Sequence, residues 1–339
     1  MSAPEAGVKM ETEAQNDVLV SVRGLKKHFP GPRLGFWPWQ GRAKIKAVDG
    51  VDFDIRRGET LGLVGESGCG KSTVARSILQ LYPPTAGQVF FERRDLCQLK
   101  ATELREIRPK AQIIFQDPYA SLDPRRSIGY TIGEPLLITG MTSDRERRER
   151  VAELLQLVGL DPFYENRYPH ELSGGQRQRI GIARALATEP ILVVADEPIS
   201  SLDVSIQAQV INLLRRLRDR LSLTYLFISH DLRVVRYVSD DVAVMYLGRI
   251  VEIAPTEALF ENPLHPYTQA LLSAVPKPRW ETTGVQRIQL EGEVPSPINP
   301  PPGCYFAPRC RLAMSVCHEA NPALEEISPG HRVACHRIE

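Results

Sequence analysis

An α/β fold with a mostly helical insertion and a small cysteine-containing C-terminal extension is predicted by three features of the 339-residue sequence. Ile191 to Ala195 and Thr224 to Ser229 are short apolar runs of the kind found in parallel strands covered on both faces, and each is followed by polar residues. Another apolar strand, Thr60 to Val64, passes through a glycine-rich loop into a helix-forming segment, Thr73 to Leu81. Composition then shifts twice, to charged helical spacing between residues 117 and 187, and to a proline-rich chain with four cysteines beyond residue 255.

Taken in order, residues 1–17 are polar and acidic, with neither a basic start nor an apolar stretch. They are expected to form a disordered tail rather than a secretory signal. Val18 to Val22 reads as a strand. Gly31 to Gly41, rich in Gly, Pro and aromatics and carrying Phe36, Trp37 and Trp39, interrupts before the strands around Ala47 to Ile55. This segment is read as a hairpin tip folded on its own aromatics, with contact to a membrane face or partner as the alternative. Gly87 to Phe91 and Ala111 to Phe115 are further short strands, the second ending in Gln116.

Asp117 to Pro135 is rich in proline and glycine. The charged run Asp144 to Arg150 leads into Val151, Leu154, Leu155 and Val158 at helical spacing, the pattern of a helix with one solvated face. Leu172-Ser173-Gly174-Gly175-Gln176 opens a helix expected over Gln176 to Ala187. A short apolar helix opening at Leu264-His265-Pro266-Tyr267 precedes the proline-rich end. The resulting plan is a tail at 1–17, a core at 18–116 and 188–255, a helical subdomain at 117–187 and an extension at 256–339.

Gly65-Glu66-Ser67-Gly68-Cys69-Gly70-Lys71-Ser72 has the G-x-x-x-x-G-K-[ST] spacing of a phosphate-binding loop, in the strand-loop-helix context that this motif requires. Its glycines permit backbone angles closed to other residues, so successive N–H groups turn into an anion nest, to which the following helix adds its positive end. Lys71 supplies a positive charge for the terminal phosphates, and Ser72 a hydroxyl for Mg2+. Ser173, Gly174 and Gly175 before a helix form a second potential anion site, with a simple helix cap as the alternative. Strands ending in Gln116, Asp196-Glu197 and His230 are expected to converge on one nucleotide, because open α/β sheets bind ligands at the carboxyl ends of their strands.

A net charge of +1 provides no field for a polyanion, so nucleic acid is not indicated as a partner. Ile191 to Ala195 and Val242 to Leu247 are far shorter than the roughly 20 apolar residues of a membrane helix, so the chain is not expected to cross a bilayer. With a nucleotide loop and no export signal, the six cysteines are expected to be reduced thiols.

This ordered set, together with Ser200-Ser201-Leu202-Asp203, resembles the ATPase subunit of ABC transporters over residues 18–255. Asn262 to Thr268 and Gly292 to Pro297 look like the oligopeptide and dipeptide importer branch, and Leu25 to Pro30 with Cys69 resembles its F-type ATPase subunit. The resemblance implies a P-loop NTPase (RecA-like) core that binds ATP and Mg2+. Phe29 would stack on adenine, and Gly65, Ser67, Gly68, Cys69, Gly70, Lys71, Ser72, Thr73 and Gln116 would hold the nucleotide. Ser72, Gln116 and Asp196 would organise Mg2+, Glu197 would polarise the attacking water, and His230 would sense the γ-phosphate. Ser173, Gly174, Gly175 and Gln176 would serve the nucleotide of a facing subunit, with Asp203 in the dimer contact.

As implied partners the resemblance offers two permease chains, a sibling ATPase and, indirectly, an extracytoplasmic solute-binding protein. The subunit would lie peripherally on the cytoplasmic face of the inner membrane. Another cargo, such as nickel or haem, and a soluble non-transport ABC ATPase are the alternatives.

Cys304, Cys310, Cys317 and Cys335 are separated by five, six and seventeen residues, without the close pair usual in structural zinc sites. The resemblance implies a [4Fe–4S] cluster on these four thiolates. Zinc with a histidine such as His318 or His336, and no metal at all, stay open as alternatives.

Overall fold

The computed structural model describes residues 17–33, 42–275 and 288–338. Phe36, Trp37 and Trp39 of the aromatic insertion lie outside the described residues, as does the tail apart from Asp17. The described strands are β1 (Val18–Arg33), β2 (Arg42–Arg56), β3 (Thr60–Val64), β4 (Ala86–Phe91), β5 (Arg94–Asp95), β6 (Ala111–Ile114), β7 (Leu192–Asp196), β8 (Thr224–Ile228), β9 (Asp241–Tyr246), β10 (Arg249–Pro255), β11 (Glu325–Ser328) and β12 (His331–Val333). They fall into two compact units, one of Met1–Ile55, Thr60–Cys97 and Ser229–Glu339, the other of Arg56–Glu59 and Gln98–Ile228.

The first unit holds a small sheet ordered β2-β1-β4-β5, in which β1 and β5 each pair antiparallel with β4. β1 runs well beyond the predicted Val18 to Val22, because β4 continues beside it as far as Lys26 after a register break at Arg23. A second set runs β11-β12-β10-β9-β3. Within it β3 is parallel to β9, with Leu61 opposite Asp241, and the other pairs are antiparallel. All five residues of β3 are buried, which is why its sequence is an unbroken apolar run rather than an alternation.

The C-terminal extension completes this second set. β12 pairs with β10, Glu252 standing opposite Val333. Glu252 is fully buried, accepts the N–H groups of Leu264 at 2.8 Å and His265 at 3.0 Å, and faces Nε2 of His331 at 2.8 Å. These partners are what a buried carboxylate requires. His265 in turn caps the helix Pro266–Ser273, its Nδ1 accepting the Tyr267 N–H at 3.1 Å.

Burial drives the His265 imidazole down to about 3. Below pH 6.5 the unfolded chain therefore takes up a proton here that the folded chain refuses until about pH 3. Stability from this group is complete above pH 6.5 and falls by about 1.4 kcal/mol per pH unit below it. His265→Asn keeps a capping side chain and removes the titration. Urea unfolding of both proteins at pH 7.5 and 5.5 is expected to show a wild-type loss about 1.4 kcal/mol larger than that of the variant; equal losses would exclude His265 as the source.

In the second unit β6, β7 and β8 are parallel, in the order β8-β7-β6, and β7 and β8 are buried throughout. The helix Asp144–Leu157 starts at Ser143, whose Oγ accepts the Glu146 N–H, and buries Val151, Leu154 and Leu155, while its charged residues other than the half-buried Arg147 and Arg150 are exposed. The helix Gly174–Leu186 begins two residues earlier than the expected Gln176. The helix Val204–Leu221 buries Val210, Ile211, Leu213, Leu214 and Leu217. Among the described residues no helix is long and apolar enough to cross a membrane.

Candidate functional site

In the first unit β3 ends at Val64 and the loop Gly65–Gly70 leads into the helix Lys71–Ile78. Gly65 and Gly70 have φ of 151° and 109°. A Cβ on Gly65 would collide with the Met245 carbonyl oxygen, and one on Gly70 with that of Ala47, so neither position has room for a side chain. Ser67 and Gly68 form the exposed crest, Ser72 and Thr73 are half-buried, and Cys69 is buried, which pushes its thiol up.

Lys71 is only 5% exposed, and its ammonium donates to the carbonyls of Gly65 at 2.8 Å and Glu66 at 3.0 Å. A cation is thus held at the start of a helix beneath a glycine-rich loop, the arrangement that receives a phosphate chain. Phe29, half-buried on β1, meets Tyr82 edge-to-face at 5.6 Å and has the Lys27 ammonium 5.1 Å from its ring centre. His230 is exposed and precedes the helix Leu232–Val238, which Asp231 caps through the Arg233 N–H at 2.9 Å.

Sequence reasoning missed a set of residues in this unit that tie the extension to these positions. Arg309 Nη1 donates to both Glu66 carboxylate oxygens, at 2.9 and 3.2 Å, and the Glu66 N–H donates to the Tyr267 hydroxyl at 3.0 Å. Asp49 accepts from the Tyr305 hydroxyl at 2.7 Å and lies 2.9 Å from Nε2 of His28, the residue before Phe29. Burial pushes the Asp49 carboxyl up, but Tyr305, His28, Arg249 and Lys46 together outweigh it and hold the group below the ordinary carboxylate value.

In the second unit the structure brings Gln116 and Glu197 together, the Gln116 Nε2 donating to Glu197 Oε2 at 2.9 Å. Asp196 is fully buried at the end of β7. Glu197 has φ of 47°, a left-handed conformation that costs a residue with a side chain about 1 kcal/mol and that concentrates at functional sites. The backbone around it is fixed: its N–H donates to the Ile228 carbonyl at 3.1 Å, and its own carbonyl accepts from the Ser200 hydroxyl at 3.1 Å.

Ser173 and Gln176 form a reciprocal cap, Gln176 Oε1 accepting the Ser173 N–H at 2.9 Å and Ser173 Oγ accepting the Gln176 N–H at 3.3 Å. Gly174 and Gly175 lie against Leu202 and Ile206, which flank Asp203 in sequence. Asp203 stands at the start of the helix Val204–Leu221 and makes no side-chain capping bond. The two helix starts therefore share one region of the second unit.

The expected four-thiolate metal centre is overturned. Among the described residues no group of three or more His, Cys, Asp or Glu side chains is disposed to hold a metal ion. Cys304, Cys310, Cys317 and Cys335 are free cysteines, and burial pushes the thiols of Cys304, Cys310 and Cys335 up. Spacing along the chain counts four donors without revealing their directions or burial. Iron–sulfur binding is accordingly withdrawn, and no such group forms around His318 or His336 among the described residues.

Residues 48–200 match the family described as ABC transporter, and residues 251–317 match the oligopeptide/dipeptide transporter, C-terminal region. The chain is 53% identical over 327 residues to the oligopeptide transport ATP-binding protein AppF of Bacillus subtilis, spanning 96% of this chain and 99% of that protein. It is 55% identical over 320 residues to a putative peptide import ATP-binding protein of Brucella ovis, spanning 94% and 98%. Among solved structures it is similar to the dimeric post-hydrolysis state of the ATP-binding cassette MJ0796 bound to ADP and Pi. That likeness has 30% identity and a TM-score of 0.61, and spans 70% of this chain and 98% of that one. A chain that shares about half its residues with such proteins over nearly their whole length belongs to the ABC transporter family of ATPases.

Proposed function

We propose that this ATPase energises an importer for oligopeptides or dipeptides, lying peripherally against the cytoplasmic face of the inner membrane. The observation that carries the cargo class is the oligopeptide/dipeptide match at residues 251–317, which lies beyond the ABC transporter match. Residues 18–116 and 188–255 serve as the ATP-binding core, and residues 117–187 as the signature subdomain.

Within that reading Phe29 stacks on adenine, and Gly65, Ser67, Gly68, Cys69, Gly70, Lys71, Ser72 and Thr73 take the phosphates through loop amides, hydroxyls and the Lys71 charge. Ser72, Gln116 and Asp196 are the residues that would hold Mg2+, which would neutralise charge on the phosphate oxygens. Glu197 accepts a proton from the attacking water, and the hydrogen bond from Gln116 supports its orientation. His230 donates to the γ-phosphate and registers its loss.

This chain carries one phosphate loop and one Leu172–Gln176 signature, so a second ATPase chain must be supplied; in our reading that chain is a sibling subunit. Ser173, Gly174, Gly175 and Gln176 then face the partner's nucleotide, and Asp203 joins the contact. Closure of the pair on ATP and reopening after hydrolysis moves two permease chains, with a solute-binding protein delivering cargo from outside. Isolation of the intact complex, with subunits identified by mass spectrometry and ATP turnover measured on adding peptide-loaded binding protein, tests this. Two permeases, a sibling ATPase and peptide-dependent turnover are expected. Co-isolation of nucleic acid or ribosomes alone would overturn the transport reading, and stimulation by nickel or haem instead of peptide would overturn the cargo.

A further inference from the structure

The phosphate loop is gripped from outside by the C-terminal extension. Arg309, with a side chain only 8% exposed, presents Nη1 to both carboxylate oxygens of Glu66, the second residue of the loop. Tyr267, fully buried, accepts the Glu66 N–H. Both are set in an aromatic cluster: Tyr246 meets Tyr267 at 4.7 Å and Phe306 at 5.2 Å between ring centres, and Arg309 Nη1 lies 3.5 Å from the Tyr246 hydroxyl.

The Nε of Arg309 is buried with no hydrogen-bond partner among the described residues. An arginine that leaves a donor bare is a poor choice for packing alone, since an apolar side chain would fill the place without that penalty. What it supplies that an apolar residue does not is a positive charge against a carboxylate built into an anion-binding loop. Without it Glu66 would set a bare negative charge beside the position of a polyanion.

We propose that Arg309 and Tyr267 are positioning residues for the triphosphate: Arg309 neutralises Glu66, Tyr267 holds its backbone N–H, and together they keep the loop amides and Lys71 disposed for phosphate. The extension thereby sets this subunit's ATP affinity. The inference rests on the reading that the loop binds ATP.

Binding of MgATP is measured by equilibrium titration on the full-length chain in the assembled transporter, alongside KM and kcat. Arg309→Met is expected to weaken ATP binding about tenfold, the effect of one unbalanced charge in a medium of intermediate dielectric. KM rises with it, and kcat changes less. Adding Glu66→Gln to that variant is expected to recover most of the loss, because the charge that Arg309 balanced is gone. A packing role would show no such recovery.

Tyr267→Phe keeps the ring in its cluster and removes one hydrogen bond, with an expected weakening of about fivefold. It serves as the independent arm should Arg309→Met fold poorly. Affinities of Arg309→Met and Tyr267→Phe both within about twofold of wild type, or equal losses in the Arg309→Met single and double variants, would overturn the inference. Wild-type chain that binds no ATP would instead overturn the nucleotide reading beneath it.

Discussion

ATP turnover by the assembled transporter carrying Glu197→Gln is expected to fall by about two to four orders of magnitude, with ATP binding retained. The expectation rests on how the residue is held. Its left-handed backbone, its N–H bonded to Ile228 and its carbonyl bonded to Ser200 fix where the side chain starts, whatever group lies at its end. Glutamine has the same shape and can still meet Gln116, but it cannot accept the water's proton. Phosphate release therefore collapses while equilibrium nucleotide binding does not. If phosphate release is unchanged, Glu197 is not the base, and the role must pass to another group.

Gly70→Ala is expected to cost about 4 kcal/mol of stability, combining left-handed strain with overpacking. It is also expected to weaken nucleotide binding by at least about tenfold through distortion of the nest. The φ of 109° is closed to a residue with a Cβ, and the added methyl would strike the Ala47 carbonyl, backbone that has nowhere to go. Gly181→Ala is the control. It sits inside the helix Gly174–Leu186 with open space where a methyl group would stand, so alanine there is expected to add about 0.5–1 kcal/mol. Chemical denaturation of both variants distinguishes a steric collision from a general intolerance of change at glycine.

The strand, loop and helix around Lys71 are legible in the sequence because their signals are local: an unbroken apolar run, glycines at fixed offsets and a helix start lie within a few residues of one another. The cap formed by Ser173 and Gln176 is legible for the same reason. Arg309 and Tyr267 are not, since they reach Glu66 across 243 and 201 residues, and no periodicity or spacing encodes such a pairing. Glu66 itself is in plain view within the motif, but its role depends on a partner that only folding supplies. The cysteines show the converse error. Their number and spacing are plain in the chain, yet ligation depends on how the side chains are disposed in the fold, which spacing does not give.

The buried Glu252 has a consequence for biosynthesis. Its His331 partner lies 79 residues downstream, and β10 gains β12 as a neighbour only through that same late segment. Until those residues leave the ribosome, β10 is an open edge whose acid lacks its imidazole partner, attractive to chaperones and to other nascent chains. Closure of this edge is a long-range and therefore late event, a point at which cellular quality control can inspect the newly made polypeptide.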